Sequence, residues 1–175
     1  SDRKNEILPI CKKEAKITES WERYVAFLYN SKLYKEAMKA AEEGTRQIAK
    51  KRPGIARSLQ NWIVKIATKN KDYSTVVNVH INEFLEYPTF NSYETLLKAS
   101  HNTKNHEIMK SWCLHFLKTG ETTTIGSIKH SSLNKSRLNK FPQYQVLIDI
   151  AEKEKDPEQT FYWYKLFSKN DTGQH

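Results

Sequence analysis

Leu59-Gln60-Asn61-Trp62-Ile63-Val64-Lys65-Ile66-Ala67 is followed, after the polar residues Thr68-Lys69-Asn70-Lys71-Asp72, by Tyr73-Ser74-Thr75-Val76-Val77-Asn78-Val79-His80-Ile81-Asn82-Glu83-Phe84. In the first stretch Leu59, Trp62, Ile63 and Ile66 fall at i, i+3, i+4 and i+7, which puts them on one face of a helix. In the second, Val76, Val77, His80, Ile81 and Phe84 repeat the pattern. Two apolar helical stripes joined by a short polar break predict a helical hairpin. Neither helix can bury its stripe alone, so further units of the same kind are required.

Three more such units are present. Tyr24-Val25-Ala26-Phe27-Leu28 precedes Tyr34-Lys35-Glu36-Ala37; Leu96-Leu97-Lys98-Ala99-Ser100 precedes His106-Glu107-Ile108-Met109; Leu147-Ile148-Asp149-Ile150-Ala151 precedes Pro157-Glu158-Gln159-Thr160. With Tyr34, Tyr73, His106 and Pro157 taken as equivalent, the residue ten earlier is Tyr24, Ile63, Leu96 or Leu147. Seven earlier it is Phe27, Ile66, Ala99 or Ile150, so both positions are apolar throughout. The units are spaced by 39, 33 and 51 residues. The first two spacings are those of helical-hairpin repeats, and the third implies an insertion. The expected fold is all-α, a right-handed α-α superhelix (a TPR-like solenoid) of about four helical hairpins. As one helical-repeat domain over 1–175 it would have hairpins near 18–50, 55–87, 91–118 and 143–168. The Thr-, Ser- and Asn-rich insertion at 119–142 is expected to be irregular or partly helical, and mobile.

Composition agrees. The 175 residues include only five Gly and five Pro, too few turn formers for a β-sandwich or barrel. No two glycines lie close enough to cradle a phosphate. Aromatic residues make up 11% of the chain, which excludes general disorder although only 38% is hydrophobic. Boundary residues fit helices too. Asn91 with Glu94 reads as a capping box, and Asp156-Pro157 as an N-cap with a first-turn proline and Gln159 completing the box. Gly44 and Gly120 read as helix ends, with Pro53 and Pro88 as barriers to helix continuation. Met109, Trp112, Cys113, Phe116 and Leu117 form a further stripe.

Trp21-x-x-Tyr24-x-x-x-Leu28, with Ala37 at its expected offset, resembles a tetratricopeptide repeat, although Ala41 stands in place of the usual aromatic. The ordered motifs Ala41-Glu42-Glu43-Gly44, Arg52-Pro53-Gly54-Ile55-Ala56 and Pro88-x-x-x-x-Tyr93 point to a narrower likeness, joined later by Leu147–Ala151 with Trp163-Tyr164. Over roughly residues 18–168 they resemble the helical-repeat region beside SWIM-type zinc fingers in bacterial proteins of unassigned role. A SWIM finger needs C-x-C followed by C-x-H, and no C-x-C occurs here. The resemblance therefore implies a finger outside this sequence.

No constellation supports catalysis or a cofactor. Cys113-Leu114-His115 is a C-x-H, but helical residues two apart point in nearly opposite directions and cannot share a metal. Cys113 reads instead as a small core residue. His101 and His106 flank the break of the third hairpin, where a turn brings them near each other, but two ligands do not make a zinc site. Neither Cys11 nor Cys113 has a charged partner at a recognisable spacing, Glu42-Glu43 reads as a solvated face, and His80 reads as a hydrogen-bonded core histidine. Two cysteines make no disulfide framework, so a reducing cytoplasm is expected. No stretch approaches a membrane span or a signal peptide. The chain opens at Ser1 without Met, as an excised domain would.

The charge is localised. Lys and Arg number 29 against 20 Asp and Glu, a net +9. Between Glu43 and Asp72 there is no acid but eight positive residues, and between Glu121 and Asp149 no acid but Lys129, Lys135, Arg137 and Lys140. Arg46, Lys50, Lys51, Arg52, Arg57, Lys65 and Lys69 form the candidate basic interaction patch. The first expectation for function is a non-enzymatic scaffold that binds a protein or peptide. The alternative is an accessory nucleic-acid-binding region, with the basic rim acting beside a SWIM-type finger. No membrane partner is expected.

Overall fold

The computed structural model describes residues 2–122 and 140–171, with side chains from 7 to 122 and 140 to 170. The expected insertion lies largely outside the described residues, as do Lys129, Lys135 and Arg137. Within them the chain is all-helical: α1 (Asp2–Thr18), α2 (Trp21–Asn30), α3 (Tyr34–Ile48), α4 (Pro53–Lys69), α5 (Tyr73–Glu86), α6 (Phe90–Ser100), α7 (His106–Thr119), α8 (Tyr144–Lys153) and α9 (Pro157–Asp171). The four positions aligned in the sequence, Tyr34, Tyr73, His106 and Pro157, are each the first residue of a helix. The chain forms two compact units, Ser1–Val76 and Val77–His175. Their boundary falls inside α5 and so divides the helices expected as the hairpin 55–87.

In the first unit α3 lies against both α2 and α4. It faces them with Ala37, Ala40, Ala41, Gly44 and Ile48, all buried. Four of these five are Ala or Gly, which lets its neighbours approach closely. From α2 come Trp21, Tyr24, Val25 and Leu28, and from α4 come Ala56, Leu59, Ile63, Ile66 and Ala67. Gly44 does not end a helix, as its residue type suggested, but sits inside α3. A Cβ there would lie 2.8 Å from Trp21 Cγ and 2.9 Å from Leu59 Cδ1, so close packing rather than a turn requires the glycine. Helix α1, which contains Pro9, lies before the first hairpin expected from the sequence. Packing on α2 stabilises it, and Lys12 and Lys16 reach Glu43 of α3 at 2.7 and 2.9 Å.

The second unit is built on a core that includes Ile81, Phe84, Leu96, Met109, Trp112, Phe116, Leu147 and Trp163. Helix α6 packs on α7, α7 on α8, and α8 on α9. Phe84 contacts the rings of Trp112 and Phe116 at centroid distances of 6.2 and 5.6 Å. Here Gly120 does end its helix, with φ of 72°. The capping box of α6 is Thr89 with Ser92, not Asn91 with Glu94. The Thr89 Oγ1 accepts from the Ser92 N–H at 3.1 Å, and the Ser92 Oγ accepts from the Thr89 N–H at 3.0 Å. This box wins because it lets Phe90, at the first helical position, pack against the core. At α9 the Asp156 carboxylate accepts from the Gln159 N–H at 3.0 Å, as an N-cap should.

One turn recurs. Lys32, Lys71 and Lys155 each stand two residues before a helix start with φ of 62°, 59° and 56°. Each donates its N–H three residues back, to Tyr29, Thr68 or Glu152. The following residue donates to the carbonyl five back: Leu33 to Leu28, Asp72 to Ala67, Asp156 to Ala151. This is a Schellman termination with lysine in the left-handed position that glycine usually fills. The equivalent residue of the remaining unit, Lys104, lies in a longer connection, where the Thr103 hydroxyl donates to the Ser100 carbonyl at 2.7 Å.

Candidate functional site

The end of α4 and the turn joining α2 to α3 build an aromatic cluster in the first unit. Tyr29, on the last turn of α2, meets Tyr34 edge to face at 5.2 Å and Trp62 edge to face at 5.3 Å. All three rings are half-buried. Trp62 therefore leaves the buried stripe expected for it, while Leu59, Ile63 and Ile66 remain in the core. The side chain lies at the margin of the α4 stripe, where Tyr29 shields only part of the indole.

Two lysines cover these rings. Lys65 Nζ stands 4.7 Å from the Tyr29 centroid and 4.5 Å from that of Trp62, and Lys69 Nζ lies 5.2 Å from that of Tyr34. Four residues apart on α4, they are separated by about 6 Å along its axis. Both are exposed, and neither has a carboxylate partner among the described residues. The rings hold the ammonium groups by cation–π attraction and narrow their rotamer freedom.

The remaining basic candidates lie elsewhere. Lys51 and Arg52, at the connection of α3 to α4, are held by Glu19 at 3.4 and 2.9 Å. Lys50, Arg46 and Arg57 are exposed. From Arg52 to Lys65 is most of the length of α4, about 20 Å. The seven residues thus divide into a group partly neutralised by Glu19 and a lysine pair seated on aromatic rings. The sequence analysis singled out Lys65, Lys69 and Trp62 but missed Tyr29 and Tyr34. A usable signal was the placement of two tyrosines five residues apart across the Lys32 turn. By sequence count the first unit carries 17 Lys and Arg against 9 Asp and Glu, so almost all of the net charge belongs to it.

The other flagged residues sit as follows. Cys113 is fully buried, and burial pushes its thiol well above the ordinary range. His80 is half-buried with Nδ1 3.3 Å from the Glu83 carboxylate. The turn before α7 does bring His101 and His106 together, stacked at 3.9 Å. Among the described residues no three His, Cys, Asp or Glu side chains are grouped to hold a metal, and no helix is long and apolar enough to cross a membrane. Comparison with known proteins finds no matching family model, no similar curated protein and no similar solved structure.

Proposed function

We propose that this chain is a non-enzymatic protein-interaction scaffold of TPR-like helical repeats, acting in the cytoplasm, and that its first unit takes an acidic segment of a partner protein. The repeat reading is supported by the common helix-start positions, the recurring lysine turn and the burial of all four equivalent residues Tyr24, Ile63, Leu96 and Leu147. Phe27 is the exception seven residues before the helix start, being exposed.

The partner reading rests on the lysine–aromatic cluster. Lys65 and Lys69 offer two preorganised cations, which lowers the ordering cost of binding carboxylates. Tyr and Trp beside them are the residue types that most often anchor interfaces. Base stacking is a poorer fit, because Lys65 occupies the faces of Tyr29 and Trp62 that a base would need. The second reading, an accessory nucleic-acid surface accompanying a SWIM-type finger, draws on the high positive charge of the first unit. Glu19 weakens it by partly neutralising Lys51 and Arg52.

A titration with a labelled, glutamate-rich peptide carrying one aromatic residue separates the two, run in parallel with DNA and RNA oligonucleotides at about 50 mM salt. Lys65→Gln with Lys69→Gln should abolish peptide binding. If instead only oligonucleotides bind, and Lys50→Ser, Lys51→Ser and Arg52→Ser together flatten the salt dependence by up to about three units, the nucleic-acid reading replaces it. Binding of neither probe would refute both.

A further inference from the structure

Two turns of the first unit hold lysine in a backbone conformation that costs stability. Lys32, between α2 and α3, has φ of 62°, and Lys71, just past the end of α4, has φ of 59°. In this left-handed region the Cβ of an L-residue crowds the following carbonyl, and glycine is the usual occupant. Lys155 repeats the position in the second unit, with φ of 56°. An interaction with the helix dipole does not account for these residues, because a lysine in the last helical turn supplies it at an ordinary φ. Helix α4 already has Lys69 in its last turn and α8 has Lys153, yet Lys71 and Lys155 follow. Backbone strain kept in the native state points to a task for the side chain that bears it.

In the first unit that task lies beside the aromatic cluster. Lys32 stands two residues before Tyr34, and Lys71 two residues after Lys69, whose ammonium group is 5.2 Å from the Tyr34 centroid. Two residues span at most about 7 Å of backbone, so both turns border that contact. Lys32 and Lys71 are exposed, as Lys65 and Lys69 are, and none of the four has a carboxylate partner among the described residues. Asp72, next to Lys71, is committed to capping: its carboxylate accepts from the Thr75 N–H at 3.1 Å and from the Thr75 hydroxyl at 2.7 Å. Lys35 and Glu36, in the first turn of α3, offset each other. Four exposed cations therefore share one end of the unit.

We propose that Lys32 and Lys71 join Lys65 and Lys69 in one site, and that the partner segment it takes is extended, with four acidic residues at alternate positions. This rests on the acidic-partner reading above and adds the number and spacing of the carboxylates. Alternate side chains of an extended chain point to one side at intervals of about 6.6 Å. Lys65 and Lys69 are about 6 Å apart along α4, so two such carboxylates meet them in register. The next two pass the end of α4, where the turn lysines stand. The strain in each turn is then the cost of holding an ammonium group beyond the last turn of a helix, where no helical residue can put one.

The test is an NMR titration of the isotope-labelled chain at about 50 mM salt with the peptide Glu-Ser-Glu-Phe-Glu-Ser-Glu and, as comparator, Glu-Phe-Glu. Exposed ion pairs are individually weak, so Lys32→Gly and Lys71→Gly should each weaken the seven-residue peptide about threefold, and the double variant about tenfold. Binding of Glu-Phe-Glu, which reaches only two lysines, should stay the same. Lys32→Arg with Lys71→Arg should keep the parental affinity, and so should Lys155→Gly, which alters the same turn outside the site. The glycine variants should unfold at the same or a higher urea concentration. If the parent binds the long peptide and the glycine double variant binds it equally well, the four-lysine site alone is overturned. An equal loss for both peptides, or a lower urea midpoint in the glycine variants, would overturn it too. If neither peptide binds the parent, the acidic-partner reading falls and the proposal with it.

Discussion

Gly44→Ala tests the close packing on which the first unit depends. In an exposed helix interior this change stabilises by about 1 kcal/mol, since alanine is the better helix former. Inside α3 the new methyl group would lie 2.8 Å from Trp21 Cγ, 2.9 Å from Trp21 Cβ and 2.9 Å from Leu59 Cδ1. Ordinary carbon contacts are about 3.5–4.0 Å, so the neighbours have to retreat by nearly 1 Å. Trp21 is fully buried and its Cβ is fixed by the backbone of α2, so no rotamer change removes that contact. Overpacking of this kind costs about 1–3 kcal/mol, and the rigid contact puts Gly44 at the upper end. Less the propensity gain, the net loss is about 2 kcal/mol. With a urea dependence near 2 kcal/mol per M, the unfolding midpoint followed by circular dichroism should fall by about 1 M. Gly54 is the control. It sits at the exposed start of α4 with open space around its Cα, so Gly54→Ala should raise stability by about 0.4–1 kcal/mol. A Gly44→Ala protein as stable as the parent would refute the packing of α3 against Trp21 and Leu59.

Three further outcomes are expected. Lys71→Gly should stabilise by up to about 1 kcal/mol, because φ of 59° is strained for a residue with a Cβ; a loss of stability in the same urea titration would contradict the assigned turn. Trp62→Ala should cost about 2 kcal/mol, less than the 3–5 kcal/mol of a fully buried indole, and a loss of 4 kcal/mol or more would show that Trp62 belongs to the core. Hydrogen bonds from Lys12 and then Lys16 hold the Glu43 carboxyl below its usual 4.5, so the stability it contributes is complete above that value and is lost as the pH falls through the lowered one. The protection factors of the α1 amides should therefore fall below about pH 4.5 in the parent but not in Glu43→Gln, and identical acid profiles would dismiss the link.

The helices were legible because apolar side chains at i, i+3, i+4 and i+7 define a face before any partner is known. The register Tyr34, Tyr73, His106 and Pro157 was legible for the same reason, since each follows a stripe by a fixed interval. Their turns were not, because the left-handed residue is lysine and the hydrogen bonds that stabilise it involve only backbone. Helix α1 lies outside the repeat register, and packing on α2 and the Glu43 ion pairs act over distances that a local pattern does not contain.

The candidate sites show the same division. Sequence determined that positive charge gathers between Glu43 and Asp72, that Trp62 lies near it, and that no catalytic or metal-binding motif accompanies it. Only the tertiary structure decided which cations act together. Glu19 arrives from the connection between α1 and α2 to pair with Lys51 and Arg52, while Tyr29 and Tyr34 arrive beneath Lys65 and Lys69. Likewise, Tyr93 enters the sequence reading only as the end of the Pro88-x-x-x-x-Tyr93 motif. That its hydroxyl is buried with no hydrogen-bond partner among the described residues depends on where α6, α7 and α8 come to rest against one another. Periodicity along a chain fixes the face of a helix, but the neighbours a side chain meets on that face are set by packing among segments far apart in sequence.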